Sequence, residues 1–376
     1  MISALREKCT SAGFDLCDPI HTQWYNDLIE EEGHVAKGTL QKIPEPQTIV
    51  EGDEGGETHH TYNAVLIGNS KSIWPKFIDW VSSQYEKKLR NARDCSDDNG
   101  DDQSENKEEI LNQVLNNNPF DTFVTETLSQ VFQLCCEGKS EGNADTGTIA
   151  DPKSQLSSYE FFWSNGINYK VNLDSSSADK ESMKKDNDTG NYHCYVENKK
   201  SEQNKSFLVS MQRVAKVTGK YWHDEEGTKL CVHPIFGTWK AFRAVVVFHQ
   251  KTDKLNSLEL SNSTPSNIIP EAPPMCPCPV DPEEIQKAKE VMDYALKIST
   301  APGEATTTGY GGNLCNYLHN SVTSGSEWSK VSPTMRPWIQ LRDCISVGRE
   351  DYKYCDNQLL YHYTKDIEIL KKELNK

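Results

Sequence analysis

Five polar stretches divide this chain and limit what the remainder can build. Residues 97–109, DDNGDDQSENKEE, hold seven acids and one lysine, too much charge to bury, so they read as solvated loop within an insertion spanning 92–109. Residues 137–157 are rich in Gly, Ser, Asp, Lys and Thr, and residues 174–190 contain no aromatic side chain. Residues 251–274 are rich in Ser, Asn and Pro, and 299–334 in Gly, Ser and Thr. Such segments cannot bury enough apolar surface to offset the entropy of ordering, so each reads as a loop or disordered insertion in one domain spanning 1–376. They also explain why a mean hydropathy of −0.70 coexists with 8 Trp, 15 Tyr and 11 Phe: an ordinary core is diluted by polar chain.

The blocks between the insertions carry clear periods. Asn63–Gly68, NAVLIG, reads as a short buried strand, followed after Asn69 or Ser70 by a helix with Ile73, Phe77, Trp80 and Val81 on one face. Phe123, Val124, Leu128 and Val131 mark a second helix. Tyr159–Trp163 and Tyr192–Val196 read as strands. Ala241–Phe248, AFRAVVVF, is the strongest strand signal, with Lys229–Pro234 as its antiparallel neighbour and a turn at Phe236–Thr238. Ser206–Thr218, 282–298 and 355–374 read as helices, the second with Pro282 and two acids in its first turn. Strands and helices without regular alternation predict an α+β fold.

The charge balance, 40 basic against 56 acidic residues for a net −16, argues against general affinity for nucleic acid or anionic lipid. No run approaches the ~20 apolar residues of a membrane helix, and Arg6, Glu7 and Lys8 stand where a signal peptide would be apolar. The expectation is a cytoplasmic protein whose 12 cysteines are reduced thiols and whose sequons at Asn187, Asn204 and Asn262 are chance matches. Neither a dinucleotide-binding glycine fingerprint nor a phosphate-binding P-loop is present, nor a serine-hydrolase or zinc-protease motif. Cys276-Pro-Cys278 lacks a second pair at finger-like spacing and reads as a loop with two spare thiols, and Cys135-Cys136 as packing at a helix end.

The most unusual stretch is Cys231–Phe248, CVHPIFGTWKAFRAVVVF, which sets a thiol, an imidazole, an indole and a guanidinium in an otherwise apolar run. Arg243 must be paired, face a cleft, or lie on the solvated face of an edge strand, because an unpaired buried charge is costly. His233 is held extended by Pro234 and is equally readable as structural or catalytic.

This stretch resembles the Cys-Ile-His-Pro-x-Phe-Gly-Gly-Trp-x-Ala-x-Arg-Gly-Val-Val signature of the CblC family of intracellular cobalamin-processing proteins. Further segments are similar in the same order. They are Gly13-Phe14-Asp15 with Gln23-Trp24-Tyr25-Asn26-Asp27-Leu28, Asn118-Pro119-Phe120-Asp121, Leu341-Arg342-Asp343, and Tyr354 with Gln358 and Tyr361. The resemblance covers most structured blocks and skips the insertions. It implies a nitroreductase-like antiparallel sheet flanked by helices. It also implies removal of the upper axial ligand of cobalamin, by glutathione-dependent dealkylation of alkylcobalamins and by decyanation of cyanocobalamin with reduced FMN or FAD. A downstream cobalamin-trafficking protein of the CblD type and methionine synthase are the implied partners. Alternatives are a flavin reductase of this fold without corrin chemistry and a non-catalytic cobalamin carrier.

Residue by residue, the resemblance implies cobalamin contacts at Lys220, Tyr221, Trp222, Cys231 and Phe242, and more loosely at Ser206, Phe207, Leu208, Val209 and Tyr354, with no protein ligand to cobalt. Arg243 and Arg342 fall on two of the family's three glutathione arginines; the third position falls near Ile369, and the family's cavity histidine at Arg213 or Gln212. The residue types suit the task. A corrin needs aromatic walls and a few polar groups, and glutathione carries two carboxylates and a thiol whose ionisation a guanidinium favours.

Overall fold

The computed structural model describes residues 2–45, 63–94, 103–115, 118–137, 156–164, 168–172, 208–250, 273–300 and 329–376. The elements in order are α1 (Ile2–Ser11), β1 (Leu16–Ile20), α2 (Thr22–Glu31), β2 (Ala64–Asn69), α3 (Ile73–Asp94), α4 (Gln103–Leu115), α5 (Pro119–Glu137), β3 (Leu156–Trp163), β4 (Asn168–Asn172), α6 (Met211–Val217), β5 (Trp222–His223), β6 (Cys231–Val232), β7 (Ala241–Gln250), α7 (Pro282–Thr300), α8 (Arg336–Asp343), α9 (Arg349–Tyr352), α10 (Asp356–Thr364) and α11 (Ile367–Leu374). Five strands form one antiparallel sheet in the order β1-β2-β7-β3-β4. The α+β expectation thus stands as helices around an antiparallel sheet, and among the described residues no helix is long and apolar enough to cross a membrane.

Strand alternation splits the apolar residues between two layers. Val65, Ile67, Phe161, Ala244, Val246 and Phe248 face one side, where α1, α3, α5, α10 and α11 cover them. Ala64, Leu66, Phe162, Val245 and Val247 face the other, under α2, α6 and Tyr221. The central strand β7 is covered on both faces, which is why its sequence is nearly continuous in β-branched residues. A third cluster joins Val232 and Val280 to α7 and α8 through Ala288, Val291, Met292, Leu341 and Ile345.

The short motifs near the first strands act through backbone geometry. Gly13 adopts φ +94°, and a Cβ there would stand 3.0 Å from the Ile73 Cα, so the chain passes the start of α3 only without a side chain. Asp15 then accepts from the Ser70 backbone N–H at 2.7 Å and from its hydroxyl, bracing the turn into α3. Ile73, Phe77 and Val81 are fully buried along that helix. Phe14, Phe77, Phe120 and Phe123 meet across α3 and α5 with ring centroids 5.0–6.3 Å apart, a geometry that favours aromatic pairs.

Three expectations are corrected. Residues 229–234 do not pair with β7: Cys231–Val232 pairs with Trp222–His223 in a separate two-stranded sheet, and β7 lies between β2 and β3. A strand apolar on both faces needs long partners, and β2 and β3 supply them. The C-terminal helix is two helices: Lys365 takes the left-handed conformation at φ 57° and the Asp366 side chain caps α11. The acidic stretch is not wholly loop, since α4 begins at Gln103. The expected strand at 192–196 lies outside the described residues, as do most of the insertions.

Candidate functional site

The loop between β6 and β7 is pinned by two glycines in close contact. Gly237 at φ +55° would place a Cβ 1.8 Å from the Val347 carbonyl oxygen, and Gly348 at φ +66° would place one 2.1 Å from the Ile235 carbonyl oxygen. Only hydrogen fits either position, so the loop lies flush on the α8–α9 connection. Across that seam the Thr238 hydroxyl donates to the Arg342 carbonyl at 2.7 Å, while Arg342 Nε and Nη2 donate to the Thr238 carbonyl at 3.1 and 2.9 Å. The guanidinium lies 4.7 Å from the ring centroids of both Trp239 and Tyr354. It has no carboxylate partner among the described residues. Burial works against its charge, but the phenol oxygens of Tyr354 and Tyr363 outweigh it and hold the group above its ordinary pKa.

A β-bulge places the second arginine. Ile67 pairs with Ala244 and Gly68 with Phe242, leaving Arg243 as the extra residue. Strict alternation would send Arg243 to the Val245 face; the bulge sends it instead to the Ala244 face, 4.8 Å from the Phe120 ring, with Nε donating to Asn69 Oδ1 at 2.6 Å. Gly68 permits the kink, because a Cβ there would stand 2.7 Å from the Ala241 carbonyl oxygen. Burial lowers the pKa of Arg243, and Arg342 adds repulsion, so the two predicted arginines share one neighbourhood on one face of the sheet.

Sequence reasoning missed two members of this group. Lys365 Nζ lies 5.8 Å from the Phe120 ring centroid and 5.5 Å from that of Tyr361. The His362 ring lies edge-on to Tyr354 at 6.2 Å, and burial followed by the charges of Arg342, Arg243 and Lys365 drives its pKa down to about 3. Three cations and a neutral imidazole therefore gather round Phe120, Tyr354 and Tyr361. Asp121 is the nearby acid that partly offsets Arg243 and Lys365. The signal for Lys365 was its place between Thr364 and the Asp366 cap, legible only once a helix end is expected there.

The predicted aromatic wall lies on the opposite face of the sheet. Tyr221 is buried and meets Phe242 edge-on at 5.3 Å and His233 at 5.0 Å. Its hydroxyl donates to Asp18 Oδ2 at 2.6 Å, and Lys220 takes the other oxygen at 2.5 Å. The Cys231 thiol is buried against the same group and pushed up to about 11 by that burial, so it is protonated at neutral pH. Val209 is buried in this layer, whereas Leu208 is 44% exposed. Trp222 packs instead on the third cluster and Tyr354 belongs to the arginine side. The predicted contacts thus form two groups, one on each face of β7, rather than one wall. Ser206 and Phe207 lie outside the described residues.

Two departures from the expected resemblance have physical explanations. Ile369, near the third arginine position, is 2% exposed in the main core, where a guanidinium would be stranded. Arg213, at the position of the cavity histidine, is fully engaged: Nε donates to Glu32 at 2.7 Å, Nη2 meets His34 Nε2 at 2.8 Å, and Nη2 also pairs with Glu225. Glu32, His34 and Glu225 group closely enough to hold a metal ion, but the guanidinium already occupies that role.

Comparison with known proteins adds little. No family model matches the chain and no curated protein matches it. Among solved structures, the crystal structure of a C. elegans B12-trafficking protein CblC, a human MMACHC homologue, is similar over 98% of this chain and 93% of that one, at 12% identity and a TM-score of 0.42. That is too slight a likeness to assign a fold or a function.

Proposed function

We propose that this protein processes cobalamin, removing the upper axial ligand of alkylcobalamins with glutathione as acceptor. The observation that carries the reading is the placement of Arg342 and Arg243, joined by Lys365: cations held by carbonyls, an amide oxygen and ring faces, with Asp121 as the only carboxylate acting on them among the described residues. Such charges remain available to a ligand. In a protein of net charge −16, a local positive group selects an anionic partner, and a tripeptide with two carboxylates and a thiol matches its sign. The family resemblance of Cys231–Phe248 supplies the corrin as the second substrate.

The chemistry asked of these residues is modest. Guanidiniums bind carboxylate bidentately and favour thiolate over thiol in the same field. The thiolate sulfur attacks the cobalt-bound carbon; the S–C bond forms as the Co–C bond breaks, and the bonding pair stays on cobalt as cob(I)alamin. His362, its pKa driven down to about 3 by burial and the three cations, is too weak a base to hold the thiol proton, which leaves to solvent as the arginines stabilise the thiolate. Reduced FMN or FAD held against Phe242, the half-buried ring of the Tyr221–Phe242 wall, would supply electrons for decyanation. The implied delivery of product to a CblD-type protein and methionine synthase belongs to the same proposal.

Absorbance spectroscopy tests the reading. Methylcobalamin added to the protein should shift to its base-off spectrum and, with glutathione, lose its methyl group. A shift without turnover would leave only a carrier. A protein that left the spectrum unchanged at saturation would exclude corrin binding altogether.

A further inference from the structure

Lys240 is a buried cation that the proposed dealkylation does not use. The residue is 9% exposed, and its ammonium donates to the Cys231 carbonyl at 2.5 Å while lying 4.8 Å from the Phe242 ring centroid and 5.3 Å from that of Tyr221. Among the described residues it has no carboxylate partner: Asp18, the acid of this layer, is engaged by Lys220 and Tyr221. One of three ammonium donors is therefore spent on protein. His233 and Phe242 border the group and are half-buried, so the wall is not sealed from solvent. Burial lowers the pKa of Lys240 and the charge of Arg342 lowers it further, as expected of a cation lacking its counter-ion.

A buried ammonium without an acid is costly to maintain. Methionine would fill a similar volume between two rings without that cost. Phe242 and His233 are the half-buried rings beside the ammonium, with Tyr221 buried behind them, and a point charge at their junction suits a single negatively charged oxygen group on a ligand lying against them. We propose that Lys240 binds a phosphate- or carboxylate-type oxyanion borne by a ligand lying against the half-buried Phe242 side of the Tyr221–Phe242 wall, at the strand end where the Arg342 guanidinium reaches the Lys240 carbonyl. The proposal deepens the cobalamin reading by naming an anion-binding residue on that wall. The oxyanion could come from the phosphodiester of the cobalamin nucleotide tail, the phosphate of a flavin mononucleotide, or free phosphate.

The test compares the full chain with K240M and K240R. Thermal unfolding at constant ionic strength should show inorganic phosphate stabilising the parent and K240R, with at least half the shift lost in K240M; K240M without phosphate should be at least as stable as the parent. Affinities measured for cobalamin against cobinamide, which lacks the tail, and for FMN against riboflavin identify the source: K240M should lose about tenfold for one anionic member and less than twofold for its neutral counterpart. Equal phosphate stabilisation of parent and K240M, together with unchanged anionic-to-neutral ratios, overturns the proposal. Should K240M not fold, K240Q replaces it in both assays. Phosphate stabilisation through Lys240 without any corrin spectrum would sink the cobalamin reading while leaving this one standing; corrin binding with phosphate, cobalamin and FMN all indifferent to Lys240 would do the reverse.

Discussion

Arg213 and Arg342 are the same residue type in opposite circumstances. Arg213 is saturated by Glu32, Glu225 and His34, and ties the end of α2 to α6 and the β5–β6 connection. Arg342 sits on two aromatic faces and two carbonyls, with no acid on it among the described residues. The contrast separates a cation whose charge is consumed by the fold from one whose charge is left for a ligand. Geometry, not residue identity, makes that distinction, and it can be broken experimentally.

The largest effect should come from Arg342→Ala, which removes a carboxylate-binding fork: glutathione-dependent dealkylation is expected to fall by roughly 100-fold, equivalent to about 2.7 kcal/mol, with unfolding in urea shifted far less. A variant that turned over as fast as the parent would end the assignment of that residue. Arg213→Met should show the opposite pattern. Leaving Glu32 and Glu225 without their cation should cost about 2 kcal/mol in urea unfolding, with little change in the thiol dependence. If both variants behaved alike, the distinction between consumed and available charge would fail.

Smaller effects sharpen the picture. Lys365→Met should raise the KM for glutathione about threefold to tenfold at unchanged kcat if it adds only a carboxylate contact. His362 offers a pH signature. Its folded pKa near 3 lies below its ordinary value of 6.5, so the unfolded chain binds the extra proton between those values and stability falls as pH drops from about 6.5 towards 3. His362→Gln should flatten part of that slope, as measured by urea midpoints across the range; an identical slope would show that the ring does not feel the three cations. His223 and His233, both pushed down to about 4 chiefly by burial, add to the slope in the same direction. The smallest change is expected for Cys231→Ala. A thiol with pKa about 11 is not a nucleophile at neutral pH, so turnover should stay within about threefold, and the parent Cys231 should resist alkylation by iodoacetamide.

Much of the architecture was legible from pattern. The β-branched run of β7, the four-residue spacing of Ile73, Phe77 and Val81, and Pro282 with its acidic first turn each state a local preference that packing then rewards. What failed were assignments that depend on which neighbour is available. Cys231 and Val232 have strand propensity, but propensity does not name a partner: the turn read at Phe236–Thr238 is present, closed by the Trp239 N–H donating to the Phe236 carbonyl at 3.0 Å, yet the strand before it pairs with Trp222–His223 rather than with β7. The periodicity of 355–374 likewise passes through Lys365, whose left-handed turn leaves the apolar spacing intact while ending one helix and beginning another.

The candidate site divides the same way. From residue types alone came the aromatic and cationic content of Cys231–Phe248, because volume, charge and hydrogen-bonding capacity belong to the side chain wherever it is placed. The face on which each of these groups stands was decided by the assembled sheet: one extra residue at Arg243 exchanges the two sides of β7, and Glu32 and His34, which help neutralise Arg213, come from 181 and 179 positions away. Charge is written locally, while its compensation depends on contacts that only the folded chain can make.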